Sequence, residues 1–176
     1  MNNRFIQEQI NIAKGEAKDW DLLSTSLLYK ETIRKDEGKK ELIYSYLTSS
    51  KEMYIIFKRK THPDKGLTLI LENPLCIPFL FLCRHTLELS LKYYMEHHNI
   101  KFNHEHSIKN LFKKTDIESQ DYSELIDAFD ILDKTGTMLR YSVDNADNEF
   151  RNKPLFVKTD EIIIYVEELC KKLLKE

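Results

Sequence analysis

The chain has 176 residues, of which 41% are hydrophobic and 32% are charged, and its formal net charge at pH 7 is −2. This length suits one well-buried core and is short for two domains, so we expect residues 1–176 to form a single domain. The composition excludes disordered and fibrous chains, and four glycines and four prolines are too few for the turns of an all-β sandwich or barrel. The charge balance gives no whole-domain signal for nucleic-acid binding, although a local basic patch is compatible with it.

Helical periodicity begins near the N terminus. Ile6, Ile10 and Ala13 recur at the spacing of an amphipathic helix and predict one within residues 5–20. A second helical piece is predicted at 22–33, ending near Gly38, and a third helix at 41–58. The third helix has one predicted inner face, formed by Ile43, Leu47, Ser50, Tyr54 and Phe57.

The central part of the chain contains the most apolar predicted helix. After a Pro-Gly loop at 62–66, residues 67–71 alternate and predict a short extended segment. The next helix is predicted to begin near Pro74, because a proline is tolerated in a first helical turn. It is predicted to end at about His98. A short helix is then predicted from His106 to Lys114, with three buried side chains, Ile108, Leu111 and Phe112.

Two further helices complete the predicted fold. Asp121 and Glu124 have the spacing of a capping box and predict a helix from there through Leu132, with Gly136 as a possible break. Thr159, followed by two acidic residues, predicts the start of a final helix. These elements predict an all-α fold, an antiparallel up-and-down helical bundle with short additional helices and one or two loops.

Cysteine usage and hydropathy predict a cytoplasmic protein. The three cysteines lie within apolar helical patterns at Cys76, Cys83 and Cys170, which predicts reduced core thiols. The polar start of the chain does not read as a signal peptide. The most apolar stretch, residues 67–91, is interrupted by prolines and charged residues, so we predict a buried helix and no membrane span.

Four polar side chains share one arc of the central helix. At about 100° per residue, Arg84, His85, Glu88 and Lys92 fall within roughly a quarter of the circumference of an otherwise apolar helix. Charges on such a helix need partners, and Glu88 is four residues from both Arg84 and Lys92. One interpretation is a structural ladder of ion pairs. Another is an anion site in which His85 transfers protons, and a third is a solvated face.

The chain resembles a group of bacterial HEPN-like proteins. Leu82 to Lys92 resembles their R-H-x-x-E-L-x-L-K helix, and His106 to Leu111 resembles their H-x-L-x-x-L step. Leu139 to Asp144 is similar to their R-Y-P-x-D segment, with Ser142 in place of the usual proline. The order and spacing of the three motifs agree from Leu75 to Asp144.

The resemblance implies a helical bundle that is commonly dimeric. The class includes metal-independent ribonucleases of toxin–antitoxin and phage-defence systems, and it also includes members that only bind a ligand or partner. Carried over by motif, it assigns candidate catalytic roles to Arg84, His85 and His106. The remaining assignments are substrate or anion binding by Lys92, Arg140 and Tyr141, and orientation by Glu88 and Asp144.

The nuclease members share an arginine followed, four to six residues later, by a histidine. No arginine of this chain has a histidine at that spacing, since Arg84 and His85 are adjacent. The preferred hypothesis is therefore a binding module, for RNA or for a partner protein encoded in the same operon, and a homodimer. The alternative is a metal-independent endoribonuclease that uses Arg84, His85, Lys92, His106 and Arg140.

The region after the central helix is rich in histidine. His97, His98, His104 and His106 lie within ten residues, and imidazoles this close are able to bind zinc or nickel. They straddle a predicted helix–loop–helix connection, and no cysteine or carboxylate pair completes a recognised ligand spacing. We therefore predict neither a metal site nor a cofactor.

Overall fold

The computed structural model describes residues 35–58, 68–69, 74–118, 122–141 and 156–175. By its internal contacts the chain divides into two units, Met1–Leu42 and Ile43–Glu176. Of the first unit, only helical residues from 35 onwards are described, so the helices predicted at 5–20 and 22–33 lie outside the described residues. The single domain expected over residues 1–176 stays a prediction.

The described part of the chain contains six helices and one pair of two-residue strands. The helices are α1 Lys35–Lys58, α2 Cys76–His97, α3 Ile108–Phe112, α4 Ser123–Asp133, α5 Met138–Tyr141 and α6 Thr159–Leu174. The strands, β1 Thr68–Leu69 and β2 Phe156–Val157, pair antiparallel with Thr68 opposite Val157. The fold is an all-α helical bundle, as the sequence predicted. The extended segment predicted at 67–71 is confirmed at Thr68–Leu69, and its other residues lie outside the described ones.

Helix α2 is the centre of the core. It packs against α6, α3 and α5, and α3 and α5 both pack against α4. A helix that is apolar nearly all round its circumference is buried on most sides, and α2 follows that rule. Its fully buried apolar side chains are Cys76, Phe79, Leu80, Cys83, Leu87, Leu91 and Met95.

Helix α6 covers one side of α2 with an amphipathic face. The side chains of its inner face are buried: Ile162, Val166, Leu169, Cys170 and Leu173. Asp160 and Glu161 lie in its first turn, where negative charge interacts favourably with the helix dipole. The Ile-Ile-Ile-Tyr-Val run is helical, because its apolar side chains recur with a helical period over all 16 residues of the element.

From Ile43 onwards, helix α1 packs into the same unit. Ile43, Leu47 and Ser50 are buried, as predicted. Two ion pairs join α1 to α6, Lys51 with Glu167 at 2.9 Å and Lys58 with Asp160 at 3.6 Å. The two helices therefore run antiparallel. These pairs are solvent-exposed, so they orient the helices more than they stabilise them.

Several predicted boundaries were wrong. Gly38 does not end a helix but lies inside α1, because a single glycine costs a helix only about 1 kcal/mol. Helix α3 is shorter than predicted and begins after Ser107, whose side chain accepts a hydrogen bond from the Asn110 amide. The N-cap residue of α4 is Tyr122 and makes no side-chain capping bond, while Asp121 of the predicted capping box lies outside the described residues.

The cysteines are core residues, as predicted. Cys76, Cys83 and Cys170 are all buried and unpaired. Burial raises the pKa of the Cys76 and Cys170 thiols to about 12 and that of Cys83 further still, so all three remain protonated near neutral pH. None of the helices in the described part of the chain combines the length and apolarity that crossing a bilayer requires.

Candidate functional site

Arg84 is buried in the middle of the bundle and uses all three parts of its guanidinium group. Its Nε donates to the backbone carbonyl of Asp133 at 2.9 Å, and its Nη1 donates to Glu88 Oε2 at 2.9 Å. Its Nη2 donates to the backbone carbonyl of His106 at 2.7 Å. Only 2% of the Arg84 surface is exposed, so this side chain ties α2 to the end of α4 and to the residue before the α3 cap.

Glu88 is the acidic centre of a set of bonded side chains, which we call the buried cluster: Arg84, Glu88, Lys92, His106 and Asp133. While Oε2 accepts from Arg84, Oε1 accepts from Lys92 Nζ at 2.7 Å and lies 2.8 Å from His106 Nδ1. Burial by itself would raise the pKa of Glu88. The hydrogen bonds from Lys92 and His106, together with the charges of Lys92 and Arg84, outweigh burial and lower the pKa to about 2. Glu88 is therefore an ionised, fully bonded carboxylate.

Asp133 is a member of the cluster that sequence reasoning missed. Its carboxylate accepts hydrogen bonds from the Met138 amide at 3.1 Å and the Leu139 amide at 3.2 Å, so it caps the first turn of α5. The same carboxylate lies 3.7 Å from Arg84 Nε. An aspartate just before a glycine-containing turn is a recognisable capping signal. Its pairing with Arg84, 49 residues away, has no local signal.

Gly136 lets two arginines approach the same turn. Its φ is +80°, a conformation that favours glycine, and an added Cβ would lie 2.9 Å from Arg84 Nη1 and 3.3 Å from Arg140 Nη2. Arg140 Nε donates to the Gly136 carbonyl at 2.7 Å. The turn between α4 and α5 therefore brings Arg140 beside the buried cluster, while the Arg140 side chain itself stays exposed.

His85 lies in an aromatic environment instead of among the charges. Its ring stacks on Phe81 at 5.6 Å and meets the edge of Tyr46 at 4.7 Å. The guanidinium carbon of Arg140 lies over the Phe81 ring, 5.8 Å from its centroid. Within the described residues, the buried Nδ1 of His85 has no hydrogen-bond partner. Burial, chiefly, and the positive charges of Arg140, Arg84 and Lys92 lower the pKa of His85 despite the opposing effect of Glu88, so the ring is neutral at pH 7.

Lys92 and His106 reach the surface at an open groove. This groove, of about 440 Å³, is lined by Lys92, Ile100, Lys101, Phe102, Asn103, His104 and His106. Half of the His106 side-chain surface is exposed, whereas Glu88 is buried beneath it. His104 has a φ of +48°, in the left-handed region, within this loop. We call this set of residues the basic groove.

The histidines divide into separate environments. His97 and His98 stack on Tyr93 and Tyr94, one turn earlier in α2, and their Nδ1 atoms lie 3.0 and 2.8 Å from the carbonyls of those tyrosines. His104 and His106 line the basic groove instead. Within the residues that the structure describes, no group of three or more histidine, cysteine or carboxylate side chains is arranged to hold a metal ion.

The residues predicted from the sequence fall into three groups. Arg84, Glu88, Lys92 and His106 are joined directly by hydrogen bonds, with Arg140 adjacent through Gly136. His85 contacts the aromatic rings on another side of α2, and Tyr141 is exposed at the end of α5. Asp144 lies outside the described residues. The ladder of ion pairs that the helical spacing predicted is present, whereas His85 is no part of it.

Replacing Arg84 with methionine should destabilise the fold by about 3–5 kcal/mol, because it removes the cation from the buried carboxylate of Asp133 and from one oxygen of Glu88. Urea unfolding followed by circular dichroism measures this. Arg140→Met is the matched control, since Arg140 is exposed, and should cost less than about 1 kcal/mol. Equal losses in the two variants would contradict a structural role for Arg84.

The ionised Glu88 should make stability depend on acid pH. The pKa of Glu88 is about 2 in the folded state, against an ordinary value of 4.5. The ionised carboxylate therefore stabilises the fold at pH values above 4.5, and this stabilisation is lost as the pH falls from 4.5 towards 2. We expect wild type to lose about 3 kcal/mol more than Glu88→Gln over that range. Unfolding curves at stepped pH values test this. Glu118→Gln, an exposed control, should follow wild type, and parallel curves for Glu88→Gln and wild type would refute the expectation.

His85 should be neutral at pH 7 with its proton on Nε2, because a buried N–H without an acceptor costs more than a buried lone pair. Long-range ¹⁵N–¹H NMR spectra distinguish the two tautomers directly. We expect the Nε2–H pattern and a titration midpoint below 6.5, the ordinary value. A protonated ring at pH 7, or a dominant Nδ1–H tautomer, would contradict the described environment.

Comparison with known proteins agrees with the motif resemblance. Neither the comparison with curated proteins nor the comparison with solved structures gives a match. A family model described as HEPN domain matches residues 72–175, which includes helices α2 to α6 and every part of the buried cluster. The match spans well over half of the 176 residues, and the chain therefore belongs to the HEPN family.

Proposed function

We propose that this HEPN protein is a non-catalytic module that binds single-stranded RNA through the basic groove, in a bacterial defence or toxin–antitoxin setting. The observation that carries the proposal is the composition of the groove. Its wall holds two lysines and two histidines around Phe102 and Asn103. In single-stranded RNA binding, cationic side chains contact the phosphates and an aromatic ring stacks on a base, and the groove offers both kinds of group. With a net charge of −2, the protein needs such a local patch to bind RNA.

The buried arginine supports binding over catalysis. A residue that stabilises charge on a phosphate must touch it, yet Arg84 is 2% exposed and donates to three protein acceptors. His85 does not line the basic groove, and its pKa is lowered by burial. The adjacent arginine and histidine therefore do not present a joint proton-transfer and phosphate-binding pair to one ligand.

A second candidate function, metal-independent endoribonuclease activity, is favoured by the contact of His106 with Glu88. A carboxylate on Nδ1 orients an imidazole for proton transfer at Nε2, and Lys92 lies on the same carboxylate, ready to bind phosphate. In this reaction the RNA 2′-hydroxyl attacks the neighbouring phosphorus and the P–O5′ bond breaks, which leaves a 2′,3′-cyclic phosphate. His106 takes the proton of the 2′-hydroxyl and returns a proton to the leaving 5′-oxygen. Of the predicted catalytic set, Arg84 has only a structural role in this scheme.

Lys101→Gln should bind a fluorescent single-stranded RNA about threefold or more weakly than wild type. The slope of log affinity against log salt concentration should become less steep by about 0.7, the value for one lost phosphate contact. Fluorescence anisotropy measures both quantities. Lys113→Gln removes an exposed lysine outside the groove and should leave affinity and slope unchanged. Equal behaviour of the two variants, or no binding by wild type, would refute the groove proposal.

The same RNA, incubated with the protein in chelator, separates the two candidate functions. A binding module leaves the strand intact. Cleavage by wild type that is lost in His106→Gln, with RNA affinity and fold retained, would instead establish the ribonuclease. Cleavage that is equal in both proteins indicates a contaminating nuclease, and the binding result then decides alone.

The proposal includes a homodimer in the cytoplasm, with a partner protein from the same operon as a further ligand. Dimers are common in this family, and large apolar side chains such as Ile131 and Tyr141 are 64% and 67% exposed in the single chain. The buried, unpaired thiols suit a reducing compartment. Light scattering after gel filtration should give twice the chain mass of 21.0 kDa. A mass of one chain at every concentration tested would refute the dimer.

A further inference from the structure

His106 is anchored in the wall of the basic groove by its backbone and by one ring nitrogen. Its carbonyl accepts from Arg84 Nη2 at 2.7 Å, and its amide donates to Glu105 Oε1 at 3.1 Å. Its ring Nδ1 lies 2.8 Å from Glu88 Oε1. These contacts come from α2 and from the connection before α3, so the ring has one fixed direction in the fold.

Glu88 determines which ring nitrogen of His106 carries the proton. The pKa of Glu88 is lowered to about 2, so its carboxylate is ionised near neutral pH and only accepts hydrogen bonds. A neutral imidazole has one N–H group and one lone pair, and the contact with Glu88 needs the N–H at Nδ1. Neutral His106 therefore carries its lone pair on Nε2.

The Nε2 atom of His106 is directed towards the basic groove. It lies on the side of the ring away from Glu88, and half of the side-chain surface is exposed in the groove that Lys92 also lines. A phosphodiester oxygen only accepts hydrogen bonds, so next to a neutral His106 it meets a second acceptor. Protonation places an N–H on Nε2 and a positive charge on the ring, and both attract phosphate. The same atom therefore opposes a phosphate in one state and binds it in the other.

The charged and titratable groups around His106 come from four parts of the fold. They are Arg84, Glu88 and Lys92 from α2, Lys101, His104 and Glu105 from the connection, Lys109 from α3, and Asp127, Asp130 and Asp133 from α4. Carboxylates, lysines and arginines ordinarily keep their charges between pH 5.5 and pH 7.5, whereas imidazoles titrate there. In that range His104 is thus the other group of this set whose type changes charge, and it needs its own control.

We propose that His106 is a proton-dependent gate of the basic groove, which binds a phosphate when the ring is protonated and releases it when the ring is neutral. The proposal rests on the proposed RNA binding for the identity of the ligand, while the gate itself applies to any oxyanion of constant charge. No covalent step is involved, because one proton binds to Nε2 together with the ligand. The affinity then changes by at most about tenfold for each pH unit, the limit for one linked proton.

The first test measures the affinity of the full chain for oligouridylate at pH 5.5 and at pH 7.5, by fluorescence anisotropy with a pH-insensitive dye. The charge of this RNA is constant between the two pH values. Wild type should bind at least about fivefold more tightly at pH 5.5. His106→Gln keeps an N–H donor but has no titratable proton, so its affinity should change less than about twofold. His104→Gln is the matched control and should retain most of the wild-type change.

The pH dependence also separates the gate from the groove proposal. Lys101→Gln should weaken RNA binding at both pH values and keep the ratio between them. Equal pH dependence in His106→Gln and wild type, or a wild-type affinity that does not change with pH, would overturn the gate. Circular dichroism at both pH values establishes that each variant is folded.

The second test needs no RNA. Long-range ¹⁵N–¹H NMR spectra should show the Nδ1–H tautomer for neutral His106. Sulfate, whose charge is the same at both pH values, should perturb the His106 ring signals with an affinity at least about threefold higher at pH 5.5 than at pH 7.5. A neutral Nε2–H tautomer, or equal sulfate affinity at the two pH values, would overturn the gate even if RNA binds. If RNA binds at neither pH while sulfate behaves as expected, the proposed RNA binding fails and the gate stands.

Discussion

The buried guanidinium of Arg84 joins three parts of the chain that lie far apart in the sequence. An ionised group in the core is tolerated only when its charge is paired and its donors are used, and Arg84 meets both conditions with Glu88, Asp133 and two backbone carbonyls. Those partners lie on α2, at the end of α4 and before α3. The arginine therefore sets where the connections between these helices run, and the Gly136 turn adapts to it.

The same network shapes the surface above it. One oxygen of Glu88 is bonded to the core arginine and the other to Lys92 and His106, so a single buried carboxylate orients two side chains of the basic groove. Under the proposed function, this arrangement couples the fold to binding, because a ligand that meets Lys92 or His106 touches side chains already held in place. A negatively charged ligand also gains from Lys92, whose position needs no further ordering.

The adjacency of Arg84 and His85 has a simple geometric consequence. Successive residues of a helix point about 100° apart, whereas residues four apart share a face. Arg84 therefore enters the charged core, and His85 enters the aromatic environment of Phe81 and Tyr46. The spacing of four to six residues found in the nuclease members has no counterpart here. His106, brought in from another segment, is the histidine that shares a carboxylate with the cluster.

The sequence by itself determined the all-α class, the central apolar helix, the inner face of α6 and the ladder of Arg84, Glu88 and Lys92, because each depends on periodicity within one helix. Helix ends were less predictable, since packing overrides weak signals such as Gly38. Only the tertiary structure decided that Asp133 and His106 complete the cluster and that His85 contacts Tyr46 outside it. These contacts join residues 18 to 49 positions apart, and no local pattern encodes which distant side chains a fold brings together.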